Sequence, residues 1–432
     1  MSPGFESLLL RQEKRPAYAG RFLYKEVHIL ENIKKTELRQ LADKLQLGEY
    51  PEAMESLYTE LKESDAPACD IQLIDTLQEK YNLFGNYFAD VRNSAEEINN
   101  DMLRSMWVRT AVKFVLAAHH DEAYKLPAPP QDGTLATDYL MLHILIPQIP
   151  GAIEEYLSRG FSWDEIRESL KSYSGCIYMV GVLTGRPGIN KLYYGWLTHY
   201  TKARIFKTNG LNFELKKLPP TAIWLRNRQT KQVVPVMLLG TFHASGIQRL
   251  GSVGYENEDG AFRVDFSEDE QNYYGHGTYN GKVSAQSETF AKSQWECVGR
   301  PGDGCLNVHI PKGSDISEPT FRAAWKSACE IMKKRYPEHG GGNIFAYSWI
   351  FDPVLSELLG PDSTITKFQN LYARFPIRNN GRAVFNFVFP GYGDDYTKLP
   401  EKTSLQRKIK EMYLNGKYIY EYAGAIFEED DK

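Results

Sequence analysis

With 432 residues, 42% of them apolar and 25% charged, the chain is longer than one hydrophobic core ordinarily organises and has the composition of a globular protein, not a disordered one. A formal charge of −4 argues against a general nucleic-acid binder, which needs a basic face. Five cysteines without framework spacing or a CxxC pair exclude a disulfide scaffold and point to free thiols in a reducing, cytoplasmic setting.

The start, MSPGFESLLLRQEKR, has no basic stretch before a long apolar core, so no signal peptide is expected. Apolar runs such as Tyr139–Pro147 are far too short to span a membrane. From Thr36 to about Ser174 the apolar period is helical. Leu38, Leu41 and Leu45 form one stripe that ends at Gly48, and Met54, Leu57 and Leu61 form another behind Pro51. Ser94 with Glu97 has the spacing of a capping box and predicts the start of a long helix carrying Ile98, Met102, Trp107, Ala111 and Val115. Ser162 with Glu165 repeats the signal, and Leu126–Gly133 reads as a loop. His119 and His120 point to different sides of a helix and make a poor metal pair; His143 reads as a core histidine. No metal site is expected.

The pattern changes near Tyr193. Lys202–Leu215 alternates about a Thr-Asn-Gly turn and predicts a hairpin, followed by strands at Ala222–Asn227, Val233–Leu239 and Ala261–Phe266. Leu306–Ile310 predicts a buried strand that Pro311 ends, since proline removes a ladder donor. Ser317 then suits an N-cap, and Phe321, Ala324, Trp325, Ala328, Ile331 and Met332 share one helix face. Next come a strand at Asn343–Trp349, a short helix from Asp352-Pro353 to Gly360, and two long strands at Thr364–Ile377 and Ala383–Phe389. A helix at Ser404–Leu414 and a strand at Tyr418–Phe427 close the chain. The order implies a mixed sheet with a right-handed parallel crossover, whose ligand site lies at the carboxyl ends of the crossed strands. Free amides at the start of the crossover helix, behind Lys312 and Gly313, suit a phosphate or a carboxylate.

That order resembles the second half of the GNAT acyltransferase fold, in which coenzyme A lies between two splayed strands and its diphosphate meets the following helix start. The chain also resembles a narrower family, two-domain bacterial acyltransferase-domain proteins with a helical N-terminal domain and a GNAT-like C-terminal one. The stretches LYYGWLTHYTKARIFKTNGLNFEL (192–215), DGAFRVDF (259–266), GDGCLNVHIPKG (302–313), SWIFDP (348–353), ITKFQNLYARF (365–375) and LPEKTSLQRKI (399–409) carry the likeness. The resemblance implies an α+β protein, helical over 1–190 and GNAT-like over 191–432. It implies transfer of an acyl group from acyl-CoA, a co-substrate and not a resident cofactor, to a small-molecule amine. The alternative is a non-catalytic acyl-CoA or ligand sensor, or an interaction module. The usual GNAT phosphate loop, a Gln or Arg with spaced glycines, is absent; Gly313 stands alone between strand and helix.

An amine must lose a proton before it attacks a thioester, and histidine is a natural base. His309, at the end of the strand beside the anion loop, is the candidate. Tyr347, Ser348 and Asp352, at the end of the partner strand, are candidates for acid or positioning roles, with helix capping the bland reading for Ser348 and Asp352. Ile310, Lys312, Gly313, Ser314, Ser317, Arg322 and Lys326 are the candidates for holding the donor. An acyl-enzyme route through Cys305 is a rival mechanism. The glycines at 340–342 lack the Lys-Ser/Thr of a nucleotide-hydrolysing loop.

Overall fold

The computed structural model describes residues 36–61, 66–117, 120–311 and 313–427. The readings of the N-terminal stretch, His119 and Lys312 lie outside those residues. Helices fill the first half, and their starts are capped as the sequence suggests: Thr36, Asp70 and Ser162 each accept an amide of the first turn, Ser162 within a full capping box with Glu165. One start differs. Ser94 lies inside the helix Phe88–Asn100, fully buried, where its hydroxyl donates to Val91 O and sits 2.8 Å from His143 Nε2. The break falls at Asp101, which leaves helical geometry and caps Met102–Leu116 through the Arg104 amide. An aspartate that can satisfy an orphan amide ends one helix and starts the next. His143 is a buried core residue, and burial pushes its imidazole down to about 3, so it is neutral.

The last helix of this layer, α1 (Lys191–Thr201), leads into the main sheet. Its strands are β1 (Ile205–Thr208), β2 (Leu211–Lys217), β3 (Gly304–His309), β4 (Asn343–Ser348), β5 (Ala373–Pro376) and β6 (Tyr422–Ile426), in the spatial order β1-β2-β3-β4-β6-β5. The β1–β2 hairpin turns at Asn209 and Gly210, both with positive φ (47° and 80°), as a type I′ turn requires. β3 and β4 are parallel and joined by α2 (Glu318–Arg335), which is the predicted crossover.

Alternation divides the sheet. Phe213, Leu306, Val308, Ile344 and Ala346 point to the α2 side and belong to one apolar cluster that continues into the helical layer through Phe206, Tyr156 and Trp107. Helical half and sheet therefore share a core. The seam is tied by Tyr156 Oη donating to Ile205 O, Tyr336 Oη donating to Ala203 O, and Arg159 4.4 Å over the Tyr336 ring.

Two of the strands expected beyond the inserted region are corrected. The inserted region itself, Ala222–Gly299, builds an antiparallel sheet separate from the main one. That sheet packs on the other face through Trp224, whose ring lies 5.7–6.4 Å from Phe345, Phe375 and Phe427. Thr364–Ile377 is a helix, Thr364–Gln369, capped by Ser363, and only Ala373–Pro376 forms strand. Ala383–Phe389 contains a short helix, Phe385–Val388. In both cases the buried residues recur at i, i+3 and i+4 (Ile365 and Phe368; Val384, Phe385, Val388 and Phe389), which suits a helix packed on one side.

Gly304 fixes how the crossover closes. A Cβ there would lie 2.0 Å from Gly340 O and 2.3 Å from His339 O, both backbone atoms of the loop entering β4. Gly304→Ala is expected to destabilise by about 2 kcal/mol or more in urea denaturation. Gly175→Ala, in an open position of the helix Ser172–Thr184, should stabilise by about 0.5–1 kcal/mol.

Candidate active site

The parallel pairing of β3 and β4 runs through Cys305/Asn343, Leu306/Ile344 and Asn307/Phe345 and then stops. Each strand continues with its outer neighbour: β3 stays paired to β2 as far as His309/Asn212, and β4 to β6 as far as Ser348/Tyr422. The two strands therefore part after Asn307 and Phe345. His309 and Tyr347 sit at the mouth of that gap, on the face opposite α2.

Beside His309 lies Glu214, on β2 and directly opposite Asn307, with a side chain 3% exposed. Its carboxylate is held from every side. Oε2 is 2.9 Å from His309 Nε2, accepts from Asn307 Nδ2 at 3.1 Å and lies 3.3 Å from Lys216 Nζ; Oε1 is 3.0 Å from His199 Nδ1. Burial alone would push this carboxyl up. The His309 hydrogen bond, with the charges of His199 and Lys216, outweighs that and holds it at about 2.

An ionised carboxylate only accepts hydrogen bonds, so the proton in each histidine contact belongs to the imidazole. His309 thus carries a hydrogen on Nε2 and His199 one on Nδ1, so in a neutral ring the lone pair falls on Nδ1 of His309 and on Nε2 of His199. Both rings are about one-third exposed. Burial is the main cause that moves His199 below the ordinary imidazole range, against the pull of Glu214. Trp196, one turn before His199 on α1, packs edge-on against His309 at 4.4 Å and fixes its ring plane.

Sequence reasoning singles out His309 but not its neighbours Glu214 and His199. Glu214 alternates with apolar residues in LNFELKK, a pattern that suits a solvent-facing side chain, and only pairing with β3 across the inserted sheet reveals it as buried. His199 lies on a helix whose aromatic pattern reads as core.

The other candidates are distributed unevenly. Tyr347 shares the His309 face, half exposed, with Lys216 Nζ 5.7 Å from its ring centroid. Ser348 faces the other way and accepts the Ile350 amide, a capping contact. Asp352 is 4% exposed, with Oδ2 accepting the Tyr420 amide at 2.7 Å and Oδ1 the Val354 amide at 3.0 Å. Burial pushes it up to about 7 against those donors. Gln369, buried on a helix and not on a strand, donates to the carbonyls of Ile350 and Asp352 and stiffens the same turn. Cys305 is fully buried and burial pushes its thiol up to about 12, so a thiolate for an acyl-enzyme route is not available there.

The loop from β3 to α2 lies against the β1–β2 turn: Ser314 Oγ donates to Gly210 O, and Asn209 Nδ2 donates to Ser327 Oγ. Ile310 packs partly into the core, and Gly313 adopts φ 85°. Ser317 stands at the N-cap position but makes no capping bond to the helix. Instead Asp315 occupies the helix start, accepting the Ser317 amide (2.8 Å), Ser317 Oγ (3.0 Å) and Thr320 Oγ1 (2.7 Å). Arg322 pairs with Glu318 at 2.8 Å and, with Lys326, lines a cleft on the β5 side of α2.

Residues 247–426 match the family model of the GNAT-like C-terminal domain. No curated protein matches the chain. An acyltransferase mutant in complex with octanoyl-CoA superposes with a TM-score of 0.60 at 14% identity, over 91% of this chain and 100% of that one. An acyltransferase in complex with decanoyl-CoA and teicoplanin gives 0.59 at 16%, over 90% and 98%. At such identities the shared property is the fold: a helical region followed by a GNAT-like mixed sheet, along nearly the whole of both chains. No helix among the described residues is long and apolar enough to cross a membrane.

Glu214 has a pH signature. Its folded pKa, about 2, lies below the ordinary 4.5, so the stability it contributes is complete above about pH 4.5 and is lost as pH falls towards 2. The difference corresponds to about 3 kcal/mol. The stability gap between the wild type and Glu214→Gln, read from urea melts, should narrow by about that amount between pH 6 and the acid limit. A gap independent of pH would show that the charge is not what stabilises the cluster.

Proposed function

We propose that the protein is an acyl-CoA-dependent acyltransferase whose acceptor is an amine. The observation that carries the reading is the gap between β3 and β4 with a carboxylate-oriented histidine pair at its mouth. In the gap the backbone edges of β3 and β4 no longer serve each other and are free to bond the amide-rich arm of coenzyme A. The diphosphate would meet Gly313, Ser314, Ser317 and the first amides of α2, beside Ile310. The complexes of similarly folded acyltransferases with octanoyl- and decanoyl-CoA support a medium-length acyl donor.

The amine nitrogen attacks the thioester carbonyl and forms the C–N bond while the C–S bond breaks. His309 Nδ1 accepts the proton lost by the amine, and Glu214 stabilises the resulting imidazolium, as a buried carboxylate behind a catalytic histidine does. The departing thiolate takes a proton from the Tyr347 hydroxyl or from water. Ser348 and Asp352 shape the turn after β4 and take no proton. The helical half, to about residue 190, would form the acceptor side, since α1 brings Trp196 and His199 to the same place. Five free cysteines support a cytoplasmic location.

Octanoyl-CoA, decanoyl-CoA and acetyl-CoA should be compared by thermal shift, and thiol release followed over a panel of amines. At 100 times its dissociation constant a bound donor adds about 2.7 kcal/mol of apparent stability. Absence of any shift rejects the donor, and a shift without thiol release over the panel identifies a sensor. His309→Ala is expected to lower kcat by about 10²–10⁴ with donor binding retained. If instead His199 is the base, His309→Ala keeps its activity, and the acid limb of kcat/KM lies below about pH 6.5.

Asp315 holds the same helix start that the diphosphate would use. Asp315→Ala should therefore lower the dissociation constant for octanoyl-CoA, measured by calorimetry. An unchanged or higher constant would place the diphosphate elsewhere.

A further inference from the structure

On the far flank of α2 lies a second cleft, with a cavity volume of about 1260 Å³. It is bounded by α2, by β5 at the sheet edge, by the end of β6 and by the turn at Asn280 and Gly281 of the inserted sheet. None of its lining belongs to the Glu214 cluster or to the 310–317 loop. From Arg322 to Lys333 it follows the helix for about 16 Å, away from the N-terminus where a donor diphosphate would sit.

Its charge stands apart from the chain's. In a protein of net charge −4, Lys231, Arg322, Lys326, Lys333 and Arg374 line this one cleft, whose lining holds one carboxylate, Glu330; Arg322 also pairs with Glu318 beside it, and Arg374 donates to Phe351 O. They come from three separate parts of the fold, so the concentration is not a consequence of one basic helix. Trp325, Leu371 and Phe427 give the same cavity apolar walls. Converging cations and apolar walls together describe a site for a ligand that carries both a compact negative group and an apolar body.

We propose that this cleft binds a small phosphorylated molecule, of nucleoside di- or triphosphate size, separately from the acyl donor. The phosphates would lie between Lys231 of the inserted sheet and Lys326 and Lys333 of α2, with Arg374 beneath them. Arg322 and Lys326, which the sequence associates with the donor, then serve this second ligand. A ligand here would bridge α2, the β5 edge and the inserted sheet.

The test does not depend on acyl transfer. ADP and inorganic triphosphate are titrated into the full-length protein by calorimetry, alone and with octanoyl-CoA at saturation. Both probes should bind, with affinity falling steeply as salt rises. Lys231→Glu combined with Lys333→Glu, both exposed positions, should weaken binding by about tenfold or more while the melting temperature is kept. Failure of both probes to bind at millimolar concentration overturns the proposal. So does binding that the double lysine variant leaves unchanged, and so does displacement of ADP by octanoyl-CoA, which would mean a single shared site.

Discussion

The ionised carboxylate of Glu214 is the constraint on which the site depends. A charge this deeply buried costs several kcal/mol unless it is paired and hydrogen-bonded. Here the partners come from three directions: His309 and Asn307 from β3, Lys216 from its own strand, and His199 from the last helix of the N-terminal layer. Remove the helical layer and one carboxylate oxygen loses its donor. Shift β3 by one residue along β2 and Asn307 and His309 turn to the other face. The carboxylate thus ties the register of the sheet to the docking of the helices, and the site exists only when both are correct.

The gap between β3 and β4 follows from the same pairing. Each strand keeps its antiparallel partner beyond the point where the two separate, so the parting is set from outside by β2 and β6. The inserted sheet supports this arrangement. Trp224 packs on Phe345 of β4 and on Phe375 of β5, which holds the β4–β6–β5 half of the sheet as a unit. On the α2 side, Trp325 Nε1 donates to Gly342 O at 2.7 Å and fixes the entry to β4. With both faces and both outer neighbours fixed, the unpaired edges have no protein strand left to close on.

What the sequence discloses follows the range of the interaction. The hairpin at Asn209-Gly210, the strand before Pro311, the helix after Ser317 and the capping box at Ser162 are local chemistry, legible within a few residues. Asp101 shows the limit even there: it caps as well as Ser94 with Glu97 would have, and packing of Ser94 against His143 decided between them. The Thr364–Gln369 and Phe385–Val388 segments were misread because short apolar runs fit both periods, and a partner strand, not propensity, makes the difference. Glu214 was least legible of all. Its burial depends on a neighbour some ninety positions away, beyond an entire inserted sheet.

The two ends of the proposed donor site are prepared differently. At the proposed chemical end the histidines are already oriented, one nitrogen of each held by Glu214 and the His309 ring packed by Trp196. At the anion end the chain's own Asp315 lies just before the helix and accepts the Ser317 amide and the Ser317 and Thr320 hydroxyls. A diphosphate bound as proposed would have to exchange with that carboxylate for those three donors, so its net gain would be the difference between the two anions there, not the full value of filling an empty cradle.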